Sequence, residues 1–268
     1  MRIKVFALII FCMPIFCMLS KAQDYEKAKD YLLSKLAVTS TMPFQSFSWL
    51  NASCGNDYWL KELTRMRLET VMLYHRHAFA LRMSHYGYVK YGELTTSVAY
   101  SLKLGTKVAV GLQFHYIFQH VDHYESLHSL TFDFSLYAQA SRKLSFAFEL
   151  YNPARLKYGL TGNTIIPMRF TVATLYEFEE KLLFSVIIFK ELPGIFDVCA
   201  RSCFCPKDYV YLSLALSLHY VECGVMLRYR RLNFTTDVKY NYTLGFAPEV
   251  GILYQLPMVD RRSERWRK

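Results

Sequence analysis

Four side chains in one short stretch are of the types that hold metal ions: His120, Asp122, His123 and, further on, His128. Imidazole and carboxylate are ordinary ligands of divalent cations, but this spacing matches no standard site. The stretch also falls between two strand-like segments, so it reads as a solvated polar loop. Cys199, Cys203 and Cys205 form a second group. In extended chain, residues two apart stand ~7 Å from each other and residues four apart ~13 Å, too far for an easy disulfide. Cys54 and Cys223 bring the count beyond the first 22 residues to five, odd and without paired CxxC motifs. That argues against a disulfide framework and a zinc ribbon. Small inward-facing fillers are the reading, with a metal or redox site as the alternative. There is no Gly-rich phosphate loop, no G-x-S-x-G elbow and no HExxH. No spacing singles out a serine, histidine and carboxylate set, so no catalytic residue and no cofactor is assigned and the protein is read as non-enzymatic.

The remaining chemistry is charge placed on one side of alternating segments. By parity Arg67, Glu69 and Arg82 share a face with Asp133 and Glu149. So do Arg169, Glu177, Arg201, Arg228 and Arg230, and finally Asp237, Lys239 and Glu249. Acids and bases are nearly balanced, which suits a mutually paired network. Such a network either lines a polar solute path or plugs an interior with side chains. A largely filled polar lumen is the main expectation.

What positions these charges is a two-residue alternation running from about residue 65 to residue 256. In the stretch from Val108 to Phe118 the apolar series is Val108, Val110, Leu112, Phe114, Tyr116 and Phe118, separated by Ala109, Gly111, Gln113 and His115. Leu130, Phe132, Phe134 and Leu136 alternate with Thr131, Asp133 and Ser135 in the same way. A strand has a side-chain period of two, so each segment has one oily face and one small or polar face. Exposing Asp133 or Glu149 to acyl chains would cost several kcal/mol, on the order of 2–3 each, so both must point inward.

Fourteen such segments run from Phe44–Ala52 to Phe246–Leu256, falling to twelve if the weak first one is not a strand. Their lengths match the ~9–11 residues a tilted strand needs to cross a bilayer. Connections alternate between long and short, as in an up-and-down meander with tight periplasmic turns. Tyrosines gather at segment ends (Tyr74, Tyr86, Tyr116, Tyr151, Tyr176, Tyr209, Tyr240 and Tyr254), where interfacial girdles are expected. The fold expected is therefore all-β, a single transmembrane antiparallel barrel of about 14 strands. A short helical segment precedes it.

Residues 1–22 have the layout of a cleaved export signal: Arg2 and Lys4, an apolar core at 5–19, then Ser20-Lys21-Ala22. Residues 23–42 form a periplasmic or plug segment, with an amphipathic helix over Gln23–Leu36. The barrel occupies 43–256 and a basic tail 257–268. No later stretch approaches the ~18 apolar residues of a membrane helix. A hydrophobic content of 53% with 16% aromatics suits lipid-facing strands. The net charge of +10 owes much to the signal and to Arg261, Arg262, Arg265, Arg267 and Lys268. The other basic residues are scattered and form no stripe with interleaved aromatics, so no nucleic-acid partner is expected.

Tyr151-Asn152-Pro153-Ala154-Arg155, then Ile166-Pro167-Met168-Arg169-Phe170, then the run from Glu179 to Ser185 resemble a pattern of Bacteroidota outer-membrane barrels. The stretch from Tyr240 to Pro248 is similar to the way those proteins end. The likeness is to the PorV/PorQ-type group, whose fold is similar to that of the long-chain fatty-acid transporter FadL. It implies a fourteen-stranded barrel in a Gram-negative outer membrane, and for some members a role in type IX secretion. Twelve residues after the last strand depart from the usual terminal aromatic and point to a periplasmic contact by the basic tail. The expected function is a secretion-associated or structural barrel, contacting outer-membrane lipid and a secretion or periplasmic partner. The alternative is a FadL-like transporter or porin for small or hydrophobic solutes.

Overall fold

The structure, a computed structural model, describes residues 25–36, 38–124, 126–158, 165–178, 182–207 and 209–256. The expected export signal and basic tail lie outside the described residues.

Fourteen antiparallel strands close on themselves. The first seven are β1 (Trp49–Asn56), β2 (Thr64–Tyr74), β3 (His77–Gly87), β4 (Tyr91–Lys103), β5 (Val108–Val121), β6 (Leu127–Gln139) and β7 (Leu144–Tyr151). The rest are β8 (Met168–Phe178), β9 (Leu182–Leu192), β10 (Phe196–Lys207), β11 (Val210–Ser217), β12 (Tyr220–Tyr229), β13 (Leu232–Asn241) and β14 (Gly245–Gln255). Each strand pairs with its sequence neighbours, and β1 pairs with β14 from Trp49↔Gln255 to Gly55↔Glu249. Closure leaves no edge, the condition under which strands can stand in lipid with every backbone group paired.

The faces divide as the alternation requires. Outward stand Leu112, Phe114, Leu130, Phe134, Phe146, Val172 and Ile252, all exposed. Inward stand Gln113, His115, Thr131, Asp133, Ser135 and Glu149, all buried. Six of the eight tyrosines expected in girdles are outward and exposed. Tyr86 and Tyr151 are corrections: they point inward, because they share parity with Arg82 and with Glu149. Arg65 lies over the Tyr86 ring at 5.6 Å.

The first strand also differs from expectation, starting at Trp49 instead of Phe44. Thr39–Phe44 form a 3₁₀ helix with Pro43 inside it, and they sit in the lumen after helix α1 (Tyr25–Leu36). A barrel of about eight strands can be filled by its own side chains, whereas a wider one encloses space that something else must occupy. Here α1 and the 3₁₀ helix fill the half of the lumen nearer the chain ends. Leu32, Leu33, Leu36 and Val38 form one apolar cluster with Tyr137, Leu175, Leu183, Cys203, Cys205, Tyr211 and Met226 of the wall. Met42 packs with Trp49, Val71, Ala78, Ala80, Ala99 and Leu253 in a second. The expected filling by charged side chains is thus corrected: apolar packing against an inserted segment fills this half.

Hydrogen bonds fix the insert. Ser40 N–H donates to Ser135 Oγ at 2.9 Å, and Thr39 Oγ1 donates to Gln113 Oε1 at 2.7 Å. Lys29 pairs with Glu177 at 2.6 Å and Lys35 with Asp237 at 2.5 Å. The Asp30 carboxylate accepts from Ser46 N–H at 3.1 Å, and Trp49 Nε1–H donates to Gln45 Oε1 at 2.8 Å, turning the chain into β1. The closest approach is at Gly111, where a Cβ would lie 2.6 Å from Ser135 Oγ and 2.9 Å from Ser40 N. Gly111→Ala is expected to weaken docking of the insert by about 1–3 kcal/mol, so that trypsin cuts at Lys29 and Lys35 several-fold faster. Gly105→Ala, with nothing within 4 Å, should digest as the parent does; equal digestion of both variants would contradict the account.

Candidate functional site

The half of the lumen toward the longer loops holds a cavity of about 900 Å³. Its floor includes Lys35 and Leu36 of α1, and its walls carry Arg67, Glu69, Arg82, Asp133, Glu149, Arg169, Asp237 and Glu249. These eight are all sequence-derived lumen candidates. The other five lie apart. Arg201 is buried against Glu222. Arg230 is a correction: it is exposed in the β12–β13 turn at φ 56°, where the strand parity no longer holds. Glu177 is below, against α1 through Lys29. Arg228 is near the β12–β13 turn with its Nε–H 3.4 Å from the Arg230 carbonyl. Lys239 has its ammonium 4.0 Å from the centre of the Tyr220 ring.

Much of the charge is matched within the wall. Arg82 Nε–H meets Glu69 at 2.5 Å, and its Nη1 donates to Gln113 of β5 and to Thr39 of the insert. Arg67 pairs with Glu249 at 3.2 Å, and Ser53 Oγ–H donates to the same carboxylate at 2.9 Å. Arg201 meets Glu222 at 3.2 Å, and the Lys35 ammonium lies between Asp237 and Glu222, 4.0 Å from the latter. Antiparallel register sets Glu69 directly opposite Arg82 and places Arg67 opposite Ser53, which shares the Glu249 carboxylate with it.

Two adjacent rungs across β5–β9 make the far wall. One runs Gln113, Asp133, Tyr151, Arg169, Glu191, and the next Ser135, Glu149, Thr171, Phe189. Over them folds the loop after β7. Asn152, fully buried at φ 49°, donates to the Ile166 carbonyl at 2.6 Å and accepts from Leu156 N–H at 2.9 Å. Asparagine tolerates that left-handed backbone better than most residues. The anchor carries Tyr158, Ile166 and Pro167 to the cavity rim.

A serine, histidine and carboxylate do come together here, which spacing alone did not reveal. Ser97 Oγ is 2.8 Å from His115 Nδ1, and His115 Nε2 is 2.7 Å from Asp133 Oδ2. The partners come from three neighbouring strands, so no sequence interval marks them. With the proton on Nε2 toward Asp133, Nδ1 accepts from the serine. A nucleophile would also need donors for a developing oxyanion, but the backbone amides beside Ser97 belong to the ladders with β3 and β5. All three groups are less than a tenth exposed, and they brace the wall. A serine-directed fluorophosphonate probe is expected to leave Ser97 unlabelled. Labelling lost in Ser97→Ala would show instead that the array acts as a nucleophile.

Elsewhere, His128 Nδ1 lies 2.6 Å from Tyr116 Oη and His120 Nδ1 3.3 Å from Ser126 Oγ, while His123 is solvated beside Asp122. Among the described residues no group of three or more His, Cys, Asp or Glu could hold a metal ion. Cys199, Cys203 and Cys205 face the lumen and are buried; Cys54 and Cys223 are exposed on the outer face. Sequence reasoning missed Lys35 and Lys29, which sit on a helix read only as amphipathic, and Tyr151, read as a girdle residue.

No protein-family model matches the sequence, and no curated protein matches it. The fold is similar to that of solved structures. The toluene transporter TodX of P. putida aligns at TM-score 0.61 and 7% identity over 82% of this chain and 93% of its own. The Ralstonia pickettii toluene transporter TbuX aligns at 0.59 and 10% identity over 84% and 93%. At such identity the likeness is one of fold, and the architecture is that of an outer-membrane β-barrel.

Proposed function

We propose that the protein is an outer-membrane transporter in which the insert of α1 and the 3₁₀ helix is the gate. A small solute enters the loop-side cavity and passes onward when the insert shifts. The observation that carries this reading is a cavity of about 900 Å³ that ends on a separate piece of chain. Its size is that of ordinary small-molecule sites, ~300–1,000 Å³.

The insert is held in a way that suits a gate. Its polar anchors to the wall are few, and two are lysine ion pairs, Lys29–Glu177 and Lys35–Asp237. Its apolar cluster can slide against a wall lined by small and flexible groups such as Ala147, Ala173 and Met226. The names of TodX and TbuX, toluene transporters, support solute passage on this fold. The likeness of the Tyr151–Arg155 region to the PorV/PorQ-type group supports the competing reading, a sealed barrel holding a secretion or periplasmic partner through its loops or tail.

Swelling of proteoliposomes separates the two. The full chain should admit uncharged and singly charged solutes of small-molecule size. Lys29→Ala with Lys35→Ala should raise the rate more than tenfold, since each lost charged contact is worth about 1.5–3 kcal/mol and ~1.4 kcal/mol is a factor of ten. A barrel that stays sealed to every solute, with and without those substitutions, would overturn the transporter reading.

A further inference from the structure

We propose that the occupant of the loop-side cavity is an organic cation, an amine on an aromatic or apolar body. This rests on the cavity being a solute site and adds the chemical class of the solute.

The charge count points that way first. A chain of net charge +10 lines this cavity with six carboxylates against four lysine and arginine side chains. Three of the acids are matched, Glu69 by Arg82, Glu249 by Arg67 and Asp237 by Lys35. Asp133, Glu149 and Glu191 remain, with Arg169 as the one cationic side chain lining the same rungs.

The second observation is the state of two of those acids. Glu149 is 9% exposed, faces the cavity and makes no hydrogen bond or ion pair with the described residues. Asp133 is 3% exposed, and while its Oδ2 meets His115, its Oδ1 has no partner among them. Buried carboxylate oxygens are ordinarily hydrogen-bonded, because desolvating them without a partner is expensive. A pair turned into a cavity forms the acceptor set for an ammonium group.

The aromatic wall supplies the rest. Tyr151, Tyr158 and Phe189 line the cavity beside these acids. Tyr151 already faces one cation, the Arg169 guanidinium at 5.1 Å from the ring centre. Ring faces and a desolvated carboxylate together are how proteins recognise organic cations. On the floor, the Lys35 ammonium between Asp237 and Glu222 shows the carboxylate half of that recognition within the chain.

Three probes with one ring and different charge test this: benzylamine, benzyl alcohol and benzoate, titrated calorimetrically into the full-length protein in detergent. Benzylamine should bind about tenfold more tightly than benzyl alcohol, and benzoate most weakly. Glu149→Gln should bring benzylamine level with benzyl alcohol and leave the alcohol unchanged. Arg169→Gln should tighten benzylamine, a readout that survives if the first variant does not fold. Equal binding of the three, a preference for benzoate, or no benzylamine binding overturns the inference, as does selectivity that persists in Glu149→Gln. Binding is read on the closed barrel without flux. Preference for the amine with no passage would therefore sink only the transporter reading, and passage without preference only this one.

Discussion

The constraint on which everything else depends is the pairing of β1 with β14. A backbone amide or carbonyl facing lipid without a partner costs several kcal/mol, so a sheet in that environment must close. Once the seam from Trp49↔Gln255 to Gly55↔Glu249 is made, each side chain has one of two destinations, acyl chain or lumen. The apolar exterior and polar interior follow from closure together with the period of two.

Closure at fourteen strands sets a second condition. The circumference is too large for wall side chains to meet across the middle, so residues ahead of the barrel enter it. Their docking requires small wall residues at the contact, which is why Gly111, Ala147 and Ala173 lie where they do. The insert occupies only the half nearer the chain ends, and the space it leaves is the cavity. Width, insert and cavity are one chain of cause.

Within that cavity register decides which charges cancel. Glu69 stands opposite Arg82, whereas Asp133 stands between Gln113 and Tyr151 and Glu149 between Ser135 and Thr171, none of them a cation. An acid excess therefore survives inside a basic protein, beside three aromatic side chains and beneath a loop that Asn152 holds in place. The same geometry that makes Ser97, His115 and Asp133 a wall brace keeps their flanking amides in the sheet.

Alternation in the chain was enough to determine the barrel, its sidedness and the inward placement of charges from Arg67 to Glu249, since a period of two is a local property. Local pattern also named an amphipathic helix before residue 36. It could not say that this helix enters the lumen, that Phe44 belongs to a turn inside the barrel with its ring 4.5 Å from that of Tyr137, or that Tyr86 and Tyr151 look inward from strand ends. Nor could it join Ser97 to His115 and Asp133, or leave Glu149 without a partner. Those features depend on inter-strand register and on how much room a closed ring of fourteen strands encloses, and both exist only once distant segments have met.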